Sequence, residues 1–284
     1  MSLVKDRNRW FSTLNDYSLD APLIAISWQI VLARDFSVDL SVFHHLILGV
    51  SVWLSYGADR FCEPNLPNGR GARRHEVFKD HAGTFFLCWS TSLLAIVCCS
   101  LAHLELRCIL FGLCLTILCL VNFALCRSEA RLGFASPCAK EIRTAGILSL
   151  GCCFFPAYET TIGLDQVACH WAVLFSLFLV NCLAVSRWDW PEDEKRGRLS
   201  FFQQSPKMLG LSVWVKYPLA VLFGLVILAR GVEANLWMHA LWACVFVISL
   251  DFLPLEEQHK REAIDLGYWI LPLCLIGLGN VVGI

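Results

Sequence analysis

The chain reads as an all-α integral membrane protein, a single bundle of nine transmembrane helices behind a short polar segment. Hydrophobic residues make up 57% of the 284 and charged residues only 17%, with a mean hydropathy of +0.58; a soluble domain carries about 25% charged residues. The apolar residues gather into blocks of roughly 17 to 22, the length that crosses a bilayer as a helix. Basic residues crowd into every second connection between those blocks, as the positive-inside bias arranges them.

Residues 1–20, MSLVKDRNRWFSTLNDYSLD, are polar and lack the apolar h-region of a secretory signal, so they read as a cytoplasmic N-terminal segment. Residues 21–284 form the one domain. Its spans fall at about 22–38, 41–58, 84–103, 108–126, 143–160, 167–187, 211–229, 235–252 and 266–284. Inside lipid every backbone N–H and C=O needs an internal partner, which makes each span a helix. The alternating segments of a membrane β-barrel are absent from the sequence.

Lys5, Arg7 and Arg9 precede the first span; Arg60, Arg70, Arg73, Arg74 and Lys79 follow the second. Arg127, Arg131, Lys140 and Arg143 lie between the fourth and fifth, Lys195, Arg196, Arg198 and Lys207 between the sixth and seventh, and Lys260 and Arg261 between the eighth and ninth. The alternate connections hold only Arg34, Arg107 and Arg230. This pattern puts the N-terminus in the cytoplasm and the C-terminus outside. With no organelle-targeting signal, a bacterial inner membrane is the simplest host. A net charge of −1 argues against a nucleic-acid partner, and no phosphate-cradling glycine motif is present. The fifteen cysteines sit mostly in apolar runs such as IVCCSL and LGCCFF, with no C-x-x-C spacing, and there behave as small hydrophobes.

The second and sixth spans both end, on the cytoplasmic side, in carboxylates. WLSYGADRFCEP places Ser55, Asp59 and Glu63 four residues apart, and SRWDWPEDEKRG does the same for Asp189 and Asp193. On a helix, positions i and i+4 share a face, although Pro191 disfavours helix at Trp190. Either cluster alone fits a solvated helix end. Two on one side are another matter, because carboxylates near the hydrocarbon boundary are costly unless paired, ion-bound or lining a polar cavity. Carboxylates beside many arginines suit Mg²⁺ bridging a diphosphate, with guanidinium groups on the remaining oxygens.

These residues resemble those of the UbiA superfamily of intramembrane prenyltransferases, over about residues 20–284. The family ends its second helix in N-x-x-x-D-x-x-x-D and its sixth in D-x-x-x-D. Here the first motif reads Ser55, Asp59, Glu63, and the second Asp189, Asp193, with Arg187 slightly displaced and Gly197 in place. CAKEIRTAGILSLG resembles the segment opening the family's fifth helix, with Lys140 at its basic position. The resemblance implies Mg²⁺-dependent transfer of an isoprenoid group from a polyprenyl diphosphate donor to a hydrophobic, often aromatic, acceptor. It implies Asp59, Glu63, Asp189 and Asp193 as catalytic metal ligands, with Lys140 near the diphosphate. Ser55, Arg60, Arg70, Arg74, Arg143 and Arg187 are candidate substrate contacts. The alternatives are a non-catalytic lipid-diphosphate-binding protein, or a small-solute transporter using the same polar cavity.

Other residues read more plainly. The loop 68–81 is either a topology determinant or a diphosphate clamp, and His75 and His81 in it lack obvious metal partners. His44 and His45 lie far from the carboxylates, at the interface. Trp28, Trp53, Trp89, Trp171, Trp188, Trp237 and Trp269 are expected mostly near span ends or on lipid faces. Gly279 and Gly283 form a close-packing pair. Lys216 either snorkels or faces the polar cavity, and residues 252–265 read as a solvated charged connector.

Overall fold

The computed structural model describes residues 17–62, 82–132, 139–195, 214–230 and 235–282. These hold nine helices and no strand: α1 Asp20–Asp35, α2 Val42–Cys62, α3 Ala82–His103, α4 Leu106–Leu132, α5 Ala139–Glu159, α6 Leu164–Lys195, α7 Lys216–Arg230, α8 Asn235–Phe252 and α9 Glu257–Val282. Each apolar block is a helix where the sequence places one. The differences lie at the ends. Helix α6 continues through Pro191 to Lys195, and α9 begins at Glu257, so much of the charged connector is helical.

Pairs of side chains across the bundle fix the direction of each helix. Trp53 Nε1 donates to the carbonyl of Tyr17 (3.2 Å), setting the middle of α2 beside the start of α1, with the last turns of α2 continuing beyond it. Arg143 meets Glu129, joining the start of α5 to the end of α4, and Lys216 meets Asp251, joining the start of α7 to the end of α8. At the opposite end the Asp35 carboxylate accepts from the Leu236 N–H (2.9 Å), and Phe43 stacks on His103. Successive helices therefore run up and down. The starts of the odd-numbered helices and the ends of the even-numbered ones share one end.

Helix α1 lies at the centre, against α2, α5, α8 and α9. Its return into α2 uses a Schellman turn: the Val38 N–H reaches the Ala33 carbonyl (2.8 Å) and the Ser37 N–H that of Arg34 (2.9 Å). Ser37 takes the left-handed conformation (φ 54°) at the position glycine usually fills. Trp28 of α1 is wholly enclosed, its ring edge-on to Phe178 of α6 and close to Tyr268 of α9. The core around it also takes Leu48, Ala145, Cys152, Phe223, Val247 and Ile264. The expectation of Trp28 near a span end or on a lipid face is thus corrected: its ring is enclosed among Phe178 of α6, His239 of α8 and Tyr268 of α9. The cysteines whose side chains are described are free thiols.

Helices α3 and α4 contribute nothing to that core among the described residues. They present Phe86, Leu94, Leu101, Phe111, Leu120 and other large apolar side chains outward. A soluble monomer rarely exposes a contiguous apolar patch of more than a few hundred Å². Three helical stretches, Ala82–His103, Leu106–Glu129 and Leu164–Asp189, are long and apolar enough to cross a membrane. Helix α1, with 16 residues, and α7, with 15, are shorter than a full span.

The approach of α9 to α8 depends on one glycine. A Cβ on Gly267 would lie 2.1 Å from Phe246 Cε1. Gly267→Leu is expected to destabilise the protein by about 1–3 kcal/mol through overpacking, read from thermal unfolding in detergent. Gly224→Ala, where a Cβ meets nothing within 4 Å, should leave the midpoint unchanged or raise it.

Candidate functional site: the charged end of the bundle

One end of the bundle gathers charged side chains beneath otherwise apolar helices, and the end of α6 is its hub. Ser186 donates to Glu141 Oε1 of α5 (2.9 Å). Arg187 pairs with Asp251 of α8, and Asp189 with Arg261 of α9. Three neighbouring positions on one helix thus face three different partners, because each residue advances about 100° around the axis.

The Asp251 carboxylate is shared. The Arg187 guanidinium reaches both oxygens, Oδ1 closely and Oδ2 at 3.5 Å, and Oδ2 also takes the Lys216 ammonium of α7. Lys216 is only 2% exposed, whereas Arg187 and Asp251 are 16% and 15% exposed. Each cation also lies beside an aromatic ring, Arg187 by Trp188 (5.6 Å) and Lys216 by Tyr217 (5.7 Å), which offsets part of its desolvation. Lys216, read from the sequence as either snorkelling or facing a polar cavity, is enclosed and paired with Asp251, so it does not snorkel to the surface. Asp251 was missed by sequence reasoning. Its signal was a lone carboxylate closing the apolar run HALWACVFVISLDF, where lipid tolerates a charge only if it is paired.

The sequence-predicted residues are placed as follows. Asp59 lies half-exposed in the last turns of α2, and Ser55 one turn earlier donates back to the Ser51 carbonyl (2.9 Å). Arg60 and Asp193 are helical, in α2 and α6, but their side chains lie outside the described set. Glu63, Arg70 and Arg74 lie outside the described residues, as do His75, His81 and the rest of the loop 68–81. Lys140 is exposed at the start of α5. Arg143 turns toward α4, where its Nε donates to Asn122 Oδ1 (2.8 Å) and its two terminal nitrogens bracket Glu129 (3.1 and 3.0 Å). Asp59 and Asp189 therefore stand at the same end, with Lys140, Arg143, Arg187, Lys216 and Arg261. Arg261 falls in the stretch read as a solvated connector, and it turns inward because α9 begins before it.

Among the described residues no group of three or more His, Cys, Asp or Glu side chains could hold a metal ion. Two of the four predicted magnesium ligands, Asp59 and Asp189, have described side chains, and Asp189 is matched by a guanidinium. On their own these two do not make a site for an ion that demands octahedral oxygen ligation.

His44 and His45 lie at the opposite end, as expected from their order in α2. His45 Nδ1 is 2.6 Å from Gln29 Oε1, and the His44 ring packs on Phe155. No protein-family model, curated protein or solved structure matches this chain. What the fold and the site define is an all-helical protein with membrane-length apolar helices and an ionic network at one end.

Proposed function

We propose that the chain is a nine-span intramembrane prenyltransferase of the UbiA kind, taking a polyprenyl diphosphate at its charged end and passing the isoprenoid group to a hydrophobic acceptor. The observation that carries this is the shared end: Asp59 and Asp189, from the two acidic motifs, stand there with five cations and apolar helices behind them. In this reading the cations bind the diphosphate oxygens and stabilise the negative charge that builds as the allylic bond breaks. The apolar bundle keeps water away from the allylic cation until the acceptor attacks. The basic connections set this end in the cytoplasm, and the bacterial inner membrane remains the proposed host.

The test is binding of farnesyl diphosphate to the detergent-purified full chain, with and without Mg²⁺, alongside Asp59→Ala and Asp189→Ala. Affinity should rise with Mg²⁺ and fall roughly tenfold or more in each variant, the scale of one lost charge-assisted contact. Equal binding in every condition, or none, overturns the reading. A second reading, a lipid-diphosphate binder without turnover, draws on the Asp189–Arg261 pair, since a carboxylate already matched by a guanidinium needs no metal. Tight binding with no release of diphosphate across a panel of aromatic acceptors would select it.

A further inference from the structure

Helices α3 and α4 are consecutive and joined by a short turn at Leu104 and Glu105, yet among the described residues they do not pack along each other. Antiparallel helices joined so closely ordinarily lie side by side. Here α3 leans on α2 and α4 on α5. Both still reach the same turn of α2. Trp89 Nε1 of α3 donates to the Leu54 carbonyl (2.9 Å), and the Cys119 thiol of α4 lies within hydrogen-bonding reach of Ser55. Between the two, α2 shows through: Ser51, at mid-helix, is exposed, and Ser55 is half-buried.

Ser51, Ser55 and Asp59 follow at four-residue intervals, so they mark one stripe that winds about 80° over a length of about 12 Å. The stripe starts in the gap at Ser51. It ends at Asp59, three turns beyond Leu48 and on the same side of α2, where Leu48 packs against Gly151 of α5. The floor of the gap therefore leads inward to the charged end. The core around Trp28 is filled by side chains, and a close-packed core has few voids larger than a water molecule. A long tail whose head is held at the charged end thus needs a way out of the bundle. Leaving it in lipid costs no desolvation, because lipid tails are as apolar as leucine.

We infer that the gap between α3 and α4, floored by Ser51 and Ser55, is a lateral passage in which the isoprenoid tail of a prenyl diphosphate trails into the bilayer while its head reaches Asp59. The inference rests on the function proposed above and adds to it the path of the tail.

The test uses the full chain in nanodiscs with Mg²⁺ and two probes that share a head and differ in tail. These are dimethylallyl diphosphate and farnesyl diphosphate carrying a diazirine at the far end of its tail. Irradiation of the native chain should leave adducts on α3, α4 and the part of α2 near Ser51, and plain farnesyl diphosphate should compete them away. Competed adducts confined to α1, α6, α8 and α9 overturn the passage, as do adducts that no competitor removes. Ser51→Trp sets a bulky ring in the gap. It should weaken farnesyl diphosphate about tenfold or more while leaving dimethylallyl diphosphate within about twofold. A merely structural Ser51 would affect both probes alike, and unchanged farnesyl binding in the folded variant also overturns the passage. The photolabelling needs no substitution, so it decides the matter if Ser51→Trp fails to fold. A native chain that binds neither diphosphate removes the prenyltransferase reading and the passage with it. One that binds both but labels elsewhere loses the passage alone.

Discussion

Asp251→Leu is expected to lower stability by about 3–5 kcal/mol, the range for removing one partner of a buried ion pair. The loss comes less from the attraction forfeited than from what is left behind. Arg187 and Lys216 would both keep their charge against apolar helices, with Lys216 almost wholly shut off from water. Unfolding in detergent, followed by heat or denaturant in phosphate-free buffer, gives the number. Adding Lys216→Met to the same chain should recover a large part of the loss, because burying well-packed apolar groups in place of a pair is often neutral. The difference between the double variant and the sum of the singles is the coupling between the two residues. A loss under about 1 kcal/mol for Asp251→Leu would mean that the cluster is solvated, as exposed pairs are.

Trp28→Ala should be as damaging, at about 3–5 kcal/mol, the usual cost of truncating a buried aromatic side chain to alanine. Its indole has no exposed surface and lies among Phe178, His239 and Tyr268. In a membrane the penalty would not come from transfer out of water, since lipid is as apolar as the core. Helix association there rests on close packing, and the alanine would leave a void at the meeting of α1, α6, α8 and α9. Trp242→Ala, on the exposed face of α8, is the control and should shift stability by no more than about 0.5 kcal/mol. If the two variants unfold alike, α1 is not the centre of the bundle.

Much of the helical order was legible in the sequence, because lipid-length apolar blocks separated by charge leave little freedom in where helices form. Which helices face inward was harder to read. Trp28 and Trp242 look equivalent in a hydropathy plot, and only the packing of α1 against four neighbours separates them. The ends were misjudged for a related reason. A charged stretch such as residues 252–265 reads as a loop when each charge is assigned to water, yet Arg261 meets Asp189 once α9 starts at Glu257. The same blindness hid Asp251: four-residue spacing finds carboxylates that share a helix, but its partners are on other helices. Lys216 was open between two environments until the partner helix was in view.

The end of α6 also behaves as an axle. Its last turns are linked to α5 through Ser186, to α8 through Arg187 and to α9 through Asp189, each link pointing outward at its own angle. A twist of this rod that released one link would drag on the other two, so α6 cannot turn without moving its neighbours. A rotation of α6 about its own axis would therefore have to stretch or break its links to α5, α8 and α9 together.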